Sequence, residues 1–248
     1  KINLIILKNK QKIKKNIQSH AREVRYKLLL NFCNKHKIKF ILTGHHRDDQ
    51  IETFLIRLSR GSGVQGLSSM KKISSLNNKT RLIRPLLDEK KQDLIFLAKQ
   101  YFGKIFKDPS NSNQKYLRTK IRSLIKKFEK SGIKQDRIIS SINNLGATRD
   151  TLNTYVCRVE KDCVTKKKKE VSISLKIFLL ENNEIQLKIL SNCIKIVAKS
   201  YYPPRAKKII NLLVKVKSDK KLKATLGGCI IQKIQNNLII YKEQLKKA

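Results

Sequence analysis

Acidic residues are scarce in this chain: 18 Asp and Glu stand against 57 Lys and Arg over 248 residues, a formal charge of +39. The imbalance points to a polyanionic partner, nucleic acid first. Codon bias in an AT-rich genome, which enriches Lys, Ile and Asn together, is the competing explanation. Cysteines number five, an odd count, and no C-x-x-C pair occurs. That argues against a zinc site, an iron–sulfur site or a disulfide framework, and a reducing cytoplasm is the expected compartment. No apolar run approaches the ~18 residues of a membrane span, so no membrane partner is expected. The opening "KINLIILKNK" has too short an apolar stretch for a signal peptide and no small-residue cleavage site after it. It also has no initiator Met, which fits a fragment. What remains is 40% hydrophobic, enough for one large domain or two modest ones.

"INLIIL" reads as a short strand. A helix is expected from about Ile17 to Lys37, with Ile17, Ala21, Val24 and Leu28 as its buried stripe. "IKFILTG", Ile38 to Gly44, reads as a buried strand, and Asp49 to Leu58 as a helix that "RGSGVQG" ends. "TRLIRPLL" is a further strand, Asp88 to Tyr101 a helix, "KDPSNSNQKY" a loop and "LRTKIRSLIKKFEKSG" a basic helix. Strand–loop–helix alternation predicts an α/β domain on a parallel sheet. Beyond about Gly132 helical patterns dominate, from Gln135 to Val159, Ser174 to Ser200 and Arg205 to Val216. "TKKKKE" reads as a solvated link, and the tail as short strands with turns at Gly227–Gly228 and Asn236–Asn237. The expected organisation is 1–130, the α/β domain, and 131–248, a mainly helical domain with a terminal β-hairpin.

"HHRDDQIETFLIRLSRGSG" gathers three acids beside two of the four histidines. His45 and His46 follow a buried strand, where open α/β sheets bind ligands. Asp49 and Glu52 share a helical face, and carboxylates clustered with Asp48 suit a hard cation such as Mg2+. The histidines suit phosphate binding or proton transfer. Helix capping, with Asp49 as N-cap and Glu52 as its N3 partner, is the bland alternative for two of the acids. Gly61-Ser62-Gly63 offers backbone N–H groups to an anion, or simply ends a helix. Arg118 and Arg122 lie one turn apart, as a phosphate clamp or a solvated face.

"AREVRY", "ILTGHHRDDQIETFLIRLSRGSGVQGLSSM", "IRPLL", "DPSN" and "LRTKIR" occur in that order, and as a set they resemble the tRNA(Ile)-lysidine synthetases of the N-type ATP pyrophosphatase (PP-loop) group. The match covers roughly residues 16 to 128. The remainder is similar to that family's helical second domain. The resemblance implies an adenine nucleotide alpha hydrolase-like domain and a ligase forming a carbon–nitrogen bond, acting in tRNA modification. ATP, with Mg2+, adenylates the C2 oxygen of the wobble cytidine of a tRNA(Ile) with a CAU anticodon; free L-lysine then displaces AMP to give lysidine. By position, the resemblance makes His45, Asp49, Glu52 and Arg25 catalytic candidates, with His46, Asp48 and Gln50 supporting. Asp49 is the candidate metal ligand and Arg118 and Arg122 the tRNA or phosphate contacts; Gly61, Ser62 and Gly63 remain cofactor-binding candidates from their own residues, because they follow a helix and cannot stand in for the family's nucleotide loop. The family carries R-N where this chain has Arg118-Thr119. Its S-G-G-x-D-S loop does not occur in these residues, so an upstream segment is expected. A homodimer stays open. The alternatives are a tRNA 2-thiolation enzyme of the same fold group, which often carries C-x-x-C pairs, or a non-catalytic tRNA-binding remnant.

Overall fold

Helix α1, Ile17–Lys35, is the first helix described in the first compact unit. The chain is described here from a computed structural model over residues 3–9, 17–77, 79–106, 117–168, 170–200 and 203–243, the side chains of 17–19 excepted. The face of α1 that meets the sheet is Tyr26, Leu29, Leu30 and Cys33, packed with Ile41, Leu76 and Leu82. Their spacings of three, four and seven make one helical stripe. It lies around the helix from the expected one, of which Ala21, Val24 and Leu28 are only half-buried.

Strands β1 (Phe40–Leu42), β2 (Ile73–Ser75) and β3 (Arg81–Ile83) form a sheet in the order β1-β3-β2. The parallel pairing expected at this point holds between β1 and β3. The sheet as a whole is mixed, because β2 runs antiparallel to β3. The cause is local. The Asn77 side chain accepts from the N–H groups of Lys79 and Thr80, and Leu76 N–H donates to the Thr80 carbonyl, so the chain reverses at once. A connection this short joins only antiparallel strands. β1 is also shorter and barer than the expected Ile38–Gly44: Ile41 is buried, but Phe40 and Leu42 are 51% and 65% exposed. It has one partner among the described strands and one covered face. The residues Asn3 to Leu7 form no strand, for they pair with none of the described ones, and Leu4, Ile5 and Ile6 are exposed.

Helix α2, Arg47–Leu58, follows β1, and the short α3, Val64–Leu67, follows α2. α4 is Lys91–Phe102 and α5 Leu117–Lys130. The expected loop "KDPSNSNQKY" lies outside the described residues. α2 and α5 pack through two pairs at helical spacing, Ile51 with Leu55 and Ile121 with Ile125. Ile138 and Ile139 of α6, Gln135–Cys163, close this cluster. The two compact units divide at Leu145 and Gly146, inside α6 and beyond the change of sequence character near 130. The first turns of α6 pack with α2 and α5, which carries the first unit past that change.

The second unit holds more β-structure than a terminal hairpin. Strands β4 (Val164–Lys166), β5 (Glu170–Ser174), β6 (Lys223–Leu226), β7 (Cys229–Ile234) and β8 (Asn237–Lys242) form one antiparallel sheet, β4-β5-β8-β7-β6. The lysine run expected as a link lies in and between β4 and β5, where the Lys167 ammonium meets Glu170 at 3.0 Å. Lys166, Lys167 and Lys168 are exposed while Val171 and Ile173 alternate into the core. The predicted helix over 174–200 is two, α7 (Leu175–Phe178) and α8 (Asn183–Ala198), because the Asn182 side chain caps Ile185 N–H and starts a new helix. α9 is Ala206–Ser218. The final turn comes one residue early, at Gln235–Asn236, with Gln235 at φ 49°. Among the described residues no helix is long and apolar enough to cross a membrane.

Candidate functional site

Thr43 leaves β1 with its N–H still bonded to the Ile83 carbonyl at 3.0 Å, so the strand's order extends to the threshold of α2. His45 and His46 stand there, as the sequence predicts, at the carboxyl end of a strand paired in parallel. The His45 Nδ1 lies 2.8 Å from the Thr43 hydroxyl. Burial, with the guanidiniums of Arg84, Arg22 and Arg118, pushes the His45 pKa below its ordinary value, against an opposing pull from Asp49. The ring is therefore neutral at neutral pH, fit to accept a proton.

His46 is the N-cap of α2, and Asp49 occupies N3 rather than the cap. The Asp49 carboxylate accepts from the His46 N–H at 3.0 Å and lies 3.4 Å from its Nε2. Asp48 accepts from the Lys91 N–H at 3.2 Å and so ties α2 to the start of α4. Next to it, a polar cleft of ≈ 380 Å³ is lined by Lys90, Lys91 and Lys134 among others. Gln50 spends its amide on one residue: it donates to the Met70 carbonyl at 2.9 Å and accepts from the Met70 N–H at 2.8 Å. Its own carbonyl accepts from the Ser69 hydroxyl. Arg57 completes this clamp through the carbonyls of Gly66 and Ser69, at 2.6 and 3.1 Å. Ser69 is thereby held at φ 58°.

Glu52 is 2% exposed. Ile51 and Ile121 pack together, and the next residue on each helix, Glu52 and Arg122, inherits that proximity. Arg122 Nε donates to Glu52 Oε1 at 2.5 Å, and Arg118 Nε lies 4.0 Å from Oε2. Glu52 also raises the Arg122 pKa, chiefly through this hydrogen bond. Oε2 is buried with no hydrogen-bond donor among the described residues. Arg118 and Arg122 are thus brought to an acid, which the sequence did not foresee.

Arg25 is exposed on α1, and among the described residues no hydrogen bond or ion pair joins it to this group. Arg22, one turn earlier, is the α1 arginine whose charge reaches His45, its guanidinium 5.2 Å from the Tyr26 ring centre. Gly61 and Ser62 do not present N–H groups to an anion: they donate to the Leu58 and Arg57 carbonyls and end α2. Gly61 takes φ 67°, and Gly63 caps α3. Arg84 escaped the sequence reading. It is 7% exposed and bonded to the Lys71 carbonyl and the Ser74 hydroxyl. No spacing marked it, because the fold alone brings it beside His45.

Among the described residues no three His, Cys, Asp or Glu side chains converge as an all-protein metal cage requires. A hard cation held by a carboxylate together with substrate phosphates fits Asp48 and Asp49 better.

Residues 1–128 match a PP-loop domain. The chain is 38% identical over 236 residues to the tRNA(Ile)-lysidine synthase of Wolbachia pipientis wMel, covering 94% of this chain and 54% of that protein. It is 36% identical to the tRNA(Ile)-lysidine synthase of the Wolbachia of Brugia malayi (strain TRS), over 96% of this chain and 55% of that protein. The synthase of Orientia tsutsugamushi (strain Boryong) is 36% identical, over 92% and 53%. The chain thus spans about half the length of the curated relatives it matches.

Proposed function

Because the chain belongs to the family of PP-loop domains, we propose that its first unit serves an ATP-dependent ligase that joins lysine to the wobble cytidine of a tRNA(Ile) with a CAU anticodon. ATP adenylates the C2 oxygen of the cytidine and pyrophosphate leaves. The ε-amine of free L-lysine then attacks C2, AMP departs, and the amine gives up a proton. The likeness to lysidine synthases supports this reading.

The observation that carries it is the half-satisfied Glu52. A buried carboxylate oxygen without a donor is rare and calls for one. An amine supplies it: Glu52 Oε2 accepts from the lysine nitrogen while Arg122 holds Oε1. His45, kept neutral, takes the proton. Asp49 holds His46 and α2 in place. Mg2+, held by Asp49 with the nucleotide phosphates, would neutralise charge on the departing pyrophosphate. Arg22, Arg25 and Arg118 add positive charge for phosphate and tRNA backbone. The second unit adds further basic surface for the tRNA.

The test uses the protein as its gene encodes it, with ATP, labelled lysine and a tRNA(Ile) transcript. Lysine should enter the tRNA with release of AMP and pyrophosphate. A transcript left unmodified, under conditions in which a known lysidine synthase modifies it, would overturn the reading. Transfer of sulfur instead would identify a 2-thiolation enzyme.

A further inference from the structure

A base is useful only when its lone pair faces the proton it takes, and an imidazole is oriented through its other nitrogen. No carboxylate is hydrogen-bonded to His45 among the described residues, and the nearby acids have other partners. Asp49 serves the His46 N–H, Asp48 serves the Lys91 N–H, and Glu52 is paired with Arg122. What His45 has is Thr43. The hydroxyl lies 2.8 Å from Nδ1, and His45 makes no other hydrogen bond among the described residues.

We propose that Thr43 is the positioning residue for His45: its hydroxyl, accepting from Nδ1–H, holds the ring and leaves the lone pair on Nε2 for the proton of the reaction. The proposal rests on the proposed function for the identity of that reaction, and on geometry for the rest. Thr43 is itself held, because its N–H continues the β1–β3 ladder onto Ile83. The hydroxyl therefore has a fixed address relative to the sheet, and the single residue between it and His45 is Gly44. A neutral orienter also suits the surroundings. The charges of Arg84, Arg22 and Arg118 act on the ring to keep it neutral, against that of Asp49. A carboxylate at position 43 would add negative charge and draw a proton onto the base. A hydroxyl orients the ring without that penalty, and it goes on accepting from Nδ1–H after Nε2 is protonated.

Thr43→Val keeps the shape and removes the hydroxyl; Thr43→Ser keeps the hydroxyl. In the protein as encoded, Thr43→Val should lower kcat for lysine incorporation by roughly ten- to a hundredfold, the scale of a misplaced catalytic group. KM for ATP and lysine should stay within about threefold. Thr43→Ser should restore most of the rate. Nitrogen-15 spectra of the His45 ring should show one tautomer, protonated on Nδ1, in the wild type and Thr43→Ser, and a mixture in Thr43→Val. An unchanged kcat and an unchanged tautomer in Thr43→Val would overturn the proposal, as would a loss that Ser does not repair. If the wild type incorporates no lysine, the proposed function has failed, and the ring spectra alone then decide whether Thr43 fixes His45.

Discussion

The two compact units bury different things. In the first, two small apolar clusters share the interior with Asp49, Gln50, Glu52 and Arg84. In the second, a single cluster runs without a break from Val156 and Val171 through Ile189, Leu190 and Ile194 to Ile231 and Ile240. Gln186 and Arg149 are its buried polar exceptions among the described residues, and the Gln186 amide is bonded to the Phe178 carbonyl. Burying apolar surface contributes roughly 25 cal/mol per Å². Buried charge contributes little net stability and makes any loss of a partner expensive. The first unit therefore gives up apolar interior to hold charged and polar side chains in place; the second is built to persist.

Matched leucines test this most sharply. Leu190 lies at 0% exposure in the large cluster and Leu82 at 1% in a small one. Leu190→Ala should cost about 4–5 kcal/mol, the upper end for such a change, because a close-packed surround cannot collapse onto the void. Leu82→Ala should fall nearer about 2–3 kcal/mol. Denaturant unfolding of each variant measures both, and equal costs would erase the contrast in packing.

Asp49→Asn comes next. An amide oxygen still accepts from the His46 N–H, so the start of α2 and the melting temperature should barely move. Loss of the charge should reduce lysine incorporation by roughly a hundredfold, about 2.7 kcal/mol. Normal turnover would reduce Asp49 to a helix terminus.

The smallest effect is in pH. His45 has a folded pKa below its unfolded value of about 6.5, so it stays neutral in the native site while the unfolded chain takes up a proton. Stability of the first unit should fall as pH drops through that value, until the folded pKa is passed. The melting temperature should fall between about pH 7 and 5, and the fall should shrink in His45→Gln. Cys163 and Cys193 in the second unit do not titrate in this range: burial pushes Cys163 up to about 11 and Cys193 up to about 12. A pH-dependent melt that His45→Gln leaves unchanged would remove the histidine from this account.

The strand-end histidines, α2, α5 and the glycine stop at Gly61 could be read from the sequence, because each follows from near neighbours: a β-branched run, a period of 3.6, a residue tolerant of positive φ. The family resemblance was readable for the same reason, as a series of short motifs in order. Distant pairings could not be read that way. Glu52 meets Arg122 across α2 and α5, Gln50 grips Met70, and Arg84 reaches His45 from beyond β3. Nor did periodicity show that the lysine run around Lys167 turns between two strands, or that β5 pairs with β8 across α7, α8 and α9. Spacing along the chain set which side chains share a face. Which faces meet, and so which charge finds which partner, was decided only when packing closed the first unit around Ile51 and Ile121 and the second around Ile189.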